Sequence, residues 1–494
     1  MHRRAPLPRR PRAAAEGLTE HPCSPTLTTV SIAALASTIA APSLAMQLPP
    51  AAPPGAVPPT LPVGLVSAPA PGNPAVALAP TTETTVLASP VPTISPAWGY
   101  RCAVVGDVIV ASGAERAVAP GPIGQIAVFR RTAEGWRADP NLAQLDRAPV
   151  AAFCLQDLQR AGQFVLTAID RRELGSSVRV LEPRDGVAVE VASLSLPAGN
   201  DVVSFASAYA GDGSTVAVGS ADMRFNLKEQ SVNRARDPKV FLWSRQGTAW
   251  SLDGFVKSPA PANGAPADAM WFGASLAVSG DVLAVGSPAT LPPRPSEVLP
   301  RSGFASVNVF RRSGGRWMPE VQIQGMTVTR GLCFGIDVAL EGDLLAVRGF
   351  DPEQQAEPAG VWLFRRTQGE WRLVNELVPA QGIVRGRGYG FSLAISKGRV
   401  IVGDGSARGA DETGESAPGM ALVFEERDGR WVNTVRLQPK APCASRSFGN
   451  DVSAEWPIVA VGRPKNERLN LEPGGTYVFD LSGTDAQAVS PRPQ

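Results

Sequence analysis

One pattern recurs along this chain, and it constrains the fold more than any other feature. Residues 272–317 begin Phe272-Gly273-Ala274-Ser275-Leu276-Ala277-Val278-Ser279-Gly280-Asp281-Val282-Leu283-Ala284-Val285-Gly286-Ser287-Pro288. A variable stretch follows, and then Gly303 to Phe310 and Trp317. The same order returns from Phe334-Gly335 to Trp371, from Tyr389-Gly390 to Trp431, and from Phe448-Gly449 to Phe479. More worn copies start at Trp98, Phe153 and Phe205, so the anchors stand 52 to 67 residues apart. Self-similarity at such a period marks a stacked architecture in which each copy is one supersecondary unit.

The content of one copy follows from its residues. Leu276–Val278 and Val282–Val285 are short apolar runs rich in β-branched residues, and a Gly-Asp turn joins them as a hairpin. Val307-Asn308-Val309-Phe310 is a third strand, and a Ser-Gly-Gly turn leads to a fourth opened by Trp317. Each copy is therefore a four-stranded antiparallel meander. Its strands are apolar on both faces, and a lone sheet cannot cover both. Sheets packed face to face around an axis can, which predicts an all-β, seven-bladed β-propeller of four-stranded antiparallel blades. Phe129 and Trp136, Trp243 and Trp250, Phe310 and Trp317, Phe364 and Trp371, and Phe424 and Trp431 are each seven apart. Such regular aromatics are expected between adjacent blades rather than on a sugar-binding platform. The last copy lacks a fourth strand, and Thr84-Thr85-Val86-Leu87 is placed to supply it and join the chain ends.

The pattern Phe-Gly-x-Ser-Leu-Ala-Val-Ser-Gly-Asp, followed by Gly-x-x-x-Val-x-Val-Phe, resembles the FG-GAP repeat of integrin-α-like β-propellers, in its bacterial exported type. The resemblance covers residues 98–480 and implies an extracellular or periplasmic binding or adhesion module. Many FG-GAP blades carry an Asp-x-Asp-x-Asp-Gly calcium loop, whose alternate carboxylates converge on a hard cation. The turns here hold single acids, Asp107, Asp212, Asp281 and Asp343, each expected to bond its own turn, so no metal is expected.

The chain outside the repeats reads as export apparatus. Arg3, Arg4, Arg9, Arg10 and Arg12 precede an uncharged run from Val30 to Ala41 and a Ser43-Leu44-Ala45 cleavage pattern, the order of a signal peptide over 1–45. The apolar run is too short to span a bilayer, so no integral membrane segment is expected after processing. Residues 46–80 hold 11 prolines and no charge, which predicts a disordered Pro/Ala-rich linker over 46–82. The propeller is assigned to 83–484 and a disordered tail to 485–494. Localisation is expected to be secreted or periplasmic.

Charge and histidine content narrow the function. With 47 Lys plus Arg against 45 Asp plus Glu, no global field attracts nucleic acid. Both histidines, His2 and His21, lie in the leader, so the processed chain has neither a Ser-His-Asp centre nor a His-ligated metal, and no cofactor is expected. Cys102, Cys154, Cys333 and Cys443 remain as disulfide candidates, with Cys102–Cys154 plausible between the first two copies and buried free thiols as the alternative.

The second-to-third strand connections are long and variable, over 220–238, 287–303, 348–360, 404–418 and 463–474. They all leave one end of the propeller, and binding residues sit on such loops. Arg224, Lys228, Arg234 and Arg236 make one loop basic; Asp404, Asp411, Glu412 and Glu415 make another acidic. Solvated loop charge is the plain reading of both. On these grounds the chain is expected to be a non-enzymatic scaffold that binds a protein or polysaccharide at the envelope, with no catalytic residues. The alternative is a carboxylate-dependent propeller enzyme such as a glycoside hydrolase, for which Asp404 and Asp411 are the acids in view.

Overall fold

The computed structural model describes residues 60–61, 78, 80–89, 97–114, 124–138, 158–169, 177–184, 187–197, 205–206, 208–220, 225–226, 231–232, 238–259, 271–288, 305–325, 333–350, 359–385, 388–405, 419–440, 447–464 and 474–483. These residues are all-β. The repeats fold into four-stranded antiparallel meanders, here numbered as sheets 1 to 7 along the chain: residues 97–138, 158–194, 209–257, 275–324, 337–376, 389–438 and 451–480. Within each, a tight turn joins the first two strands, and in sheets 3 to 6 the outer hairpin carries a bulge immediately before Trp243, Phe310, Phe364 or Phe424.

The first strand of each sheet lies innermost and packs against the first strand of the next. The series runs Ala97–Val105, Leu158–Ala161, Tyr209–Gly211, Ser275–Ser279, Asp337–Glu341, Tyr389–Ser396, Asp451–Glu455, and then returns to Ala97–Val105. The inner strands thus close a ring, as a propeller requires. Sheet 7 contributes three strands of its own, and Thr85–Leu87 pairs antiparallel with Gly475–Asp480 as its fourth. Asp480 N also donates to Thr84 Oγ1 at 3.0 Å, and Thr84 N to Val478 O at 2.8 Å. The chain ends are clasped, as the strand character of 84–87 predicts. Upstream of this clasp, Pro80–Thr82 pairs in parallel with the outer strand of sheet 6, and Thr60–Leu61 with that of sheet 4.

The core is a set of slabs between sheets. Trp371 is buried among Val309 and Ile323 of sheet 4 and Phe334 and Leu345 of its own sheet. Trp317 fills the equivalent place between sheets 3 and 4, and Trp431, Trp250 and Trp136 do so between their own and the preceding sheets. Trp371 Nε1 donates to Glu320 Oε2 of sheet 4 at 3.2 Å, and Arg366 Nε to Glu320 Oε1 at 2.6 Å. The anchor aromatics repeat a second contact, an edge-on pair with the third-strand Phe: Trp98–Phe129, Phe205–Phe241, Phe272–Phe310, Phe334–Phe364 and Phe448–Phe479, with centroids 6.0 to 6.4 Å apart.

At the end of the inner strands of sheets 3 to 7 an acid or hydroxyl makes a repeated polar lock, whereas sheet 1 ends in Val105 and sheet 2 in Ala161. The locking side chain accepts a hydrogen bond from the turn of the next sheet. Asp212 Oδ2 accepts from Gly280 N (2.6 Å), Ser279 Oγ from Gly342 N (2.9 Å), and Glu341 from Lys397 N and Gly398 N (2.9 and 2.7 Å). Ser396 Oγ accepts from Trp456 N (2.9 Å), and Glu455 Oε2 from Gly106 N (2.8 Å). Sheet 2 has Ala161 at this position and cannot make the bond. There the backbones meet directly, Ala161 pairing in parallel with Gly211, which fuses sheets 2 and 3 into one eight-stranded sheet. Asp212 also bonds its own turn, through Ser214 N and Thr215 N, both at 2.9 Å.

The Phe-Gly step itself is fixed by backbone geometry. Gly449 has φ +87°, and a Cβ there would collide with the Met420 carbonyl of sheet 6. Gly429 has a similar φ of +72° with open space around it. Gly429→Ala is therefore expected to lose about 1 kcal/mol from left-handed strain alone, and Gly449→Ala at least about 2 kcal/mol more through the collision. Trp371→Ala is expected to lose about 3–5 kcal/mol as a core truncation. Urea unfolding of the three variants checks the order, and equal losses at Gly429 and Gly449 would show that the inter-sheet approach is not what demands glycine.

Candidate functional site

In sheets 1, 4, 5, 6 and 7 the residue four before the end of the inner strand, here the entry position, lines one cavity. It is the residue after Phe-Gly-x. It is Ser275 and Ser392 in sheets 4 and 6, which match the repeat pattern, but Arg101 in sheet 1, Asp337 in sheet 5 and Asp451 in sheet 7. A cavity of ≈ 780 Å³ runs along the inner strands and is lined by these five residues together with Cys102, Arg348 and Phe391. Strand entry lies at the end from which the long second-to-third connections leave.

Asp451 is buried and firmly held. Arg101 Nη1 lies 3.0 Å from its Oδ1, across 350 residues of sequence, and its Oδ2 accepts from Cys102 N at 2.7 Å and from the Cys102 thiol at 3.4 Å. Burial pushes the Asp451 carboxyl above the usual range, and Arg101 and the Cys102 amide pull the other way. The Cys102 thiol is pushed well up by burial and by the Asp451 charge, so it stands as a neutral donor and not as a thiolate.

Asp337 differs. Its Oδ1 accepts from Val338 N at 3.0 Å, and it is partly accessible from the cavity although deep in the molecule. Burial raises it from 3.8 to about 7; Arg348 and Arg101 oppose that rise, and Asp451 adds to it. Its partner across the strand pair is Arg348. In sheets 4, 6 and 7 the residue at that place is Gly286, Gly403 or Gly462, and a Cβ would strike the next sheet's glycine carbonyl. Sheet 5 instead carries a buried arginine, whose Nε donates to Tyr389 O at 3.1 Å and whose guanidinium lies 5.1 Å from the Phe350 ring centre and 5.5 Å from that of Phe391. Phe391 is 42% exposed and lies on the cavity wall.

Arg101, Asp337, Asp451 and Arg348 were not among the candidates drawn from the loops. The available signal was departure from the repeat: charge in place of Ser after Phe-Gly-x, and Arg in place of Gly after Ala-Val. Of the loop candidates, Asp404 is not a loop residue. It ends the strand Arg399–Asp404 and is 1% exposed, close enough for its charge to act on Arg348 and Tyr389. Arg224, Lys228, Arg234, Arg236, Asp411, Glu412 and Glu415 lie outside the described residues. The disulfide expectation is corrected where it can be read. Cys102 and Cys333 are buried and neither is in a disulfide, Cys102 because it lies on the inner strand with its thiol turned to Asp451; Cys154 and Cys443 lie outside the described residues. Among the described residues no group of His, Cys, Asp and Glu is placed to hold a metal ion, and no helix is long and apolar enough to cross a membrane.

No protein-family profile matches the chain, and neither does any curated protein sequence. Among solved structures it is similar to a putative 6-phosphogluconolactonase from Bacteroides uniformis, at TM-score 0.40 and 13% identity over 69% of this chain and 85% of that one. It is similar to the acylaminoacyl peptidase of Pyrococcus horikoshii, at TM-score 0.42 and 10% identity over 83% of this chain but only 55% of that one. It is also similar to the β-propeller domain of the Trilobed protease from Pyrococcus furiosus, at TM-score 0.39 and 10% identity over 81% and 95%. These likenesses concern architecture. They correct one expectation, that the chain is not an enzyme: the structures it resembles include enzymes, the tricorn protease among them, so a propeller-like fold is no ground for excluding catalysis.

The raised Asp337 carboxyl gives a stability prediction. Its folded value lies above its unfolded one, so the folded state holds the extra proton between about pH 4 and pH 7. The stability it contributes is full below pH 4 and lost as pH rises through 7. Asp337→Asn is therefore expected to flatten the fall in melting temperature between pH 5 and pH 8, with the variant gaining on the parent at pH 8. A parallel pH profile for the two proteins would show that Asp337 titrates as it does in water.

Proposed function

We propose that the protein is a seven-bladed β-propeller enzyme that uses carboxylates in its axial cavity to hydrolyse glycosides. The observation that supports this most is the placing of Asp337 and Asp451 at equivalent strand-entry positions on one cavity, in different environments. Glycoside cleavage needs one carboxylic acid that keeps its proton near neutrality to protonate the leaving oxygen, and a second carboxylate opposite it. Asp337, raised to about 7 and reachable from the cavity, has the properties of the acid. Asp451, paired with Arg101 and fixed by the Cys102 amide, has those of the second group.

The seven-blade count rests on the ring of inner strands among the described residues, and the FG-GAP assignment on the repeat pattern. Export through residues 1–45, a spacer over 46–82 and a location outside the cytoplasm are part of the same proposal. So is a protein or polysaccharide partner met through the 220–238 and 404–418 connections, which leave the propeller at the end where the cavity residues enter.

Residues 46–494 assayed on a panel of aryl and oligosaccharide glycosides test the enzymatic reading. Turnover is expected with a basic limb in kcat/KM near pH 7. Asp337→Asn and Asp451→Asn are each expected to lose about 10²-fold or more in kcat while keeping the parent circular dichroism. Absence of turnover across the panel, or full activity in Asp337→Asn, would remove this reading.

A further inference from the structure

The charge and shape of the cavity mouth carry a statement about the ligand, which rests on the same site but not on turnover. We propose that the mouth binds a small anionic sugar, its ring lying on Phe391 and its charged group directed to Arg348 and Arg101, and that this binding is coupled to a proton held by Asp337.

Three features lead there. The first is Phe391, an aromatic side chain 42% exposed on a cavity wall whose neighbouring anchor aromatics are buried. A ring with one open face in a polar cavity suits the apolar face of a pyranose. The second is Arg348, placed where sheets 4, 6 and 7 have glycine. It is buried, its guanidinium stacks near Phe350 and Phe391, and it lines the cavity. An arginine so oriented is preorganised for a carboxylate or sulfate group beside an aromatic platform. The third is the charge set. Around Asp337 stand Arg348 on the paired strand, Arg101 on sheet 1 and Asp451 on sheet 7, with Ser275 on sheet 4 and Ser392 on sheet 6 completing the ring. Cys102 beside Asp451 is neutral, Cys333 and Asp404 act on Arg348 from behind it, and Tyr389 is pushed well up by burial and is neutral. Protonating Asp337 removes one negative charge from this set, in which Arg348 and Arg101 stand against Asp451 and Asp404. Ionising Asp337 restores that negative charge beside the two arginines. An anion therefore binds the protonated form better, and by linkage its arrival favours proton uptake by Asp337. The bound anion would hold the proton in place at the pH where the acid is needed.

Calorimetric titration of residues 46–494 with glucuronate, glucose and sulfate, each at pH 6 and pH 8, tests this without any reaction. Glucuronate stays ionised across that range, so the protein supplies any pH dependence. Glucuronate is expected to bind at pH 6 at least tenfold tighter than glucose and to lose about tenfold by pH 8. Asp337→Asn is expected to bind glucuronate equally at both pH values, and Arg348→Gln to lose at least tenfold at pH 6. Phe391→Ala, which removes an exposed side chain and leaves the fold intact, is expected to weaken glucuronate and leave sulfate unchanged. Equal affinity for glucose and glucuronate would overturn the anionic class, and pH-independent binding by the parent would overturn the proton coupling. Equal weakening of sulfate by Phe391→Ala would overturn the ring contact. Failure of the glycosidase assay with these binding results intact would leave an anionic-sugar site and remove only the hydrolase.

Discussion

The structure depends on covering both faces of every sheet. A four-stranded meander with Val, Leu, Ala and Phe on both sides cannot stand in water, and each copy here has its apolar faces covered by its neighbours in the ring. That requirement explains the Trp that opens the fourth strand, the edge-on aromatic pair at five of the anchors, and the glycines where one sheet's backbone meets the next. It also explains the clasp at sheet 7. An open ring would leave two uncovered faces and an unpaired edge, and Thr85–Leu87 removes that edge with three residues.

Packing alone leaves sheets free to slide, because apolar contact is not directional. The locks at the inner strand ends supply direction. An acid or hydroxyl from one sheet receives the turn amides of the next, at 2.6 to 2.9 Å, from sheet 3 round to sheet 1. Each also satisfies backbone donors that a tight turn leaves without a partner. Val105 and Ala161 break the series, and at Ala161 a backbone bridge to Gly211 replaces the side chain.

The fold was legible because its determinants are local and repeated. Gly280-Asp281 marks a hairpin, and the seven-residue interval from Phe310 to Trp317 sets which strands face which neighbour, and both can be read within one copy. The same regularity hid the site. The five entry residues are separated in sequence by whole repeats; Arg101 and Asp451, 350 residues apart, meet only once the ring is closed. Their significance lies in departing from the Ser of the pattern, while attention to the pattern directs the eye to the long loops instead. Asp404 shows the cost of reading charge by position alone. It follows Val402-Gly403 and looks like the start of an acidic loop, yet it completes a buried strand.

A closed ring also accounts for the chemistry available at its centre. The inner strands bring backbone and side chains from distant repeats to one narrow space, where burial acts on every charge. A lone carboxylate in such a place would be expelled or neutralised. Asp451 is kept by Arg101 and the Cys102 amide, whereas at Asp337, cross-strand from Arg348, burial outweighs the pull of the arginines and pushes the carboxyl up to about 7. Two acids at equivalent positions thus acquire different properties from their neighbours alone. Sheet 5 also replaces the repeat's glycine by Arg348, whose charge opposes the rise of the Asp337 carboxyl and whose Nε donates to the Tyr389 carbonyl. That bond holds the guanidinium beside Phe350 and Phe391, on the cavity wall.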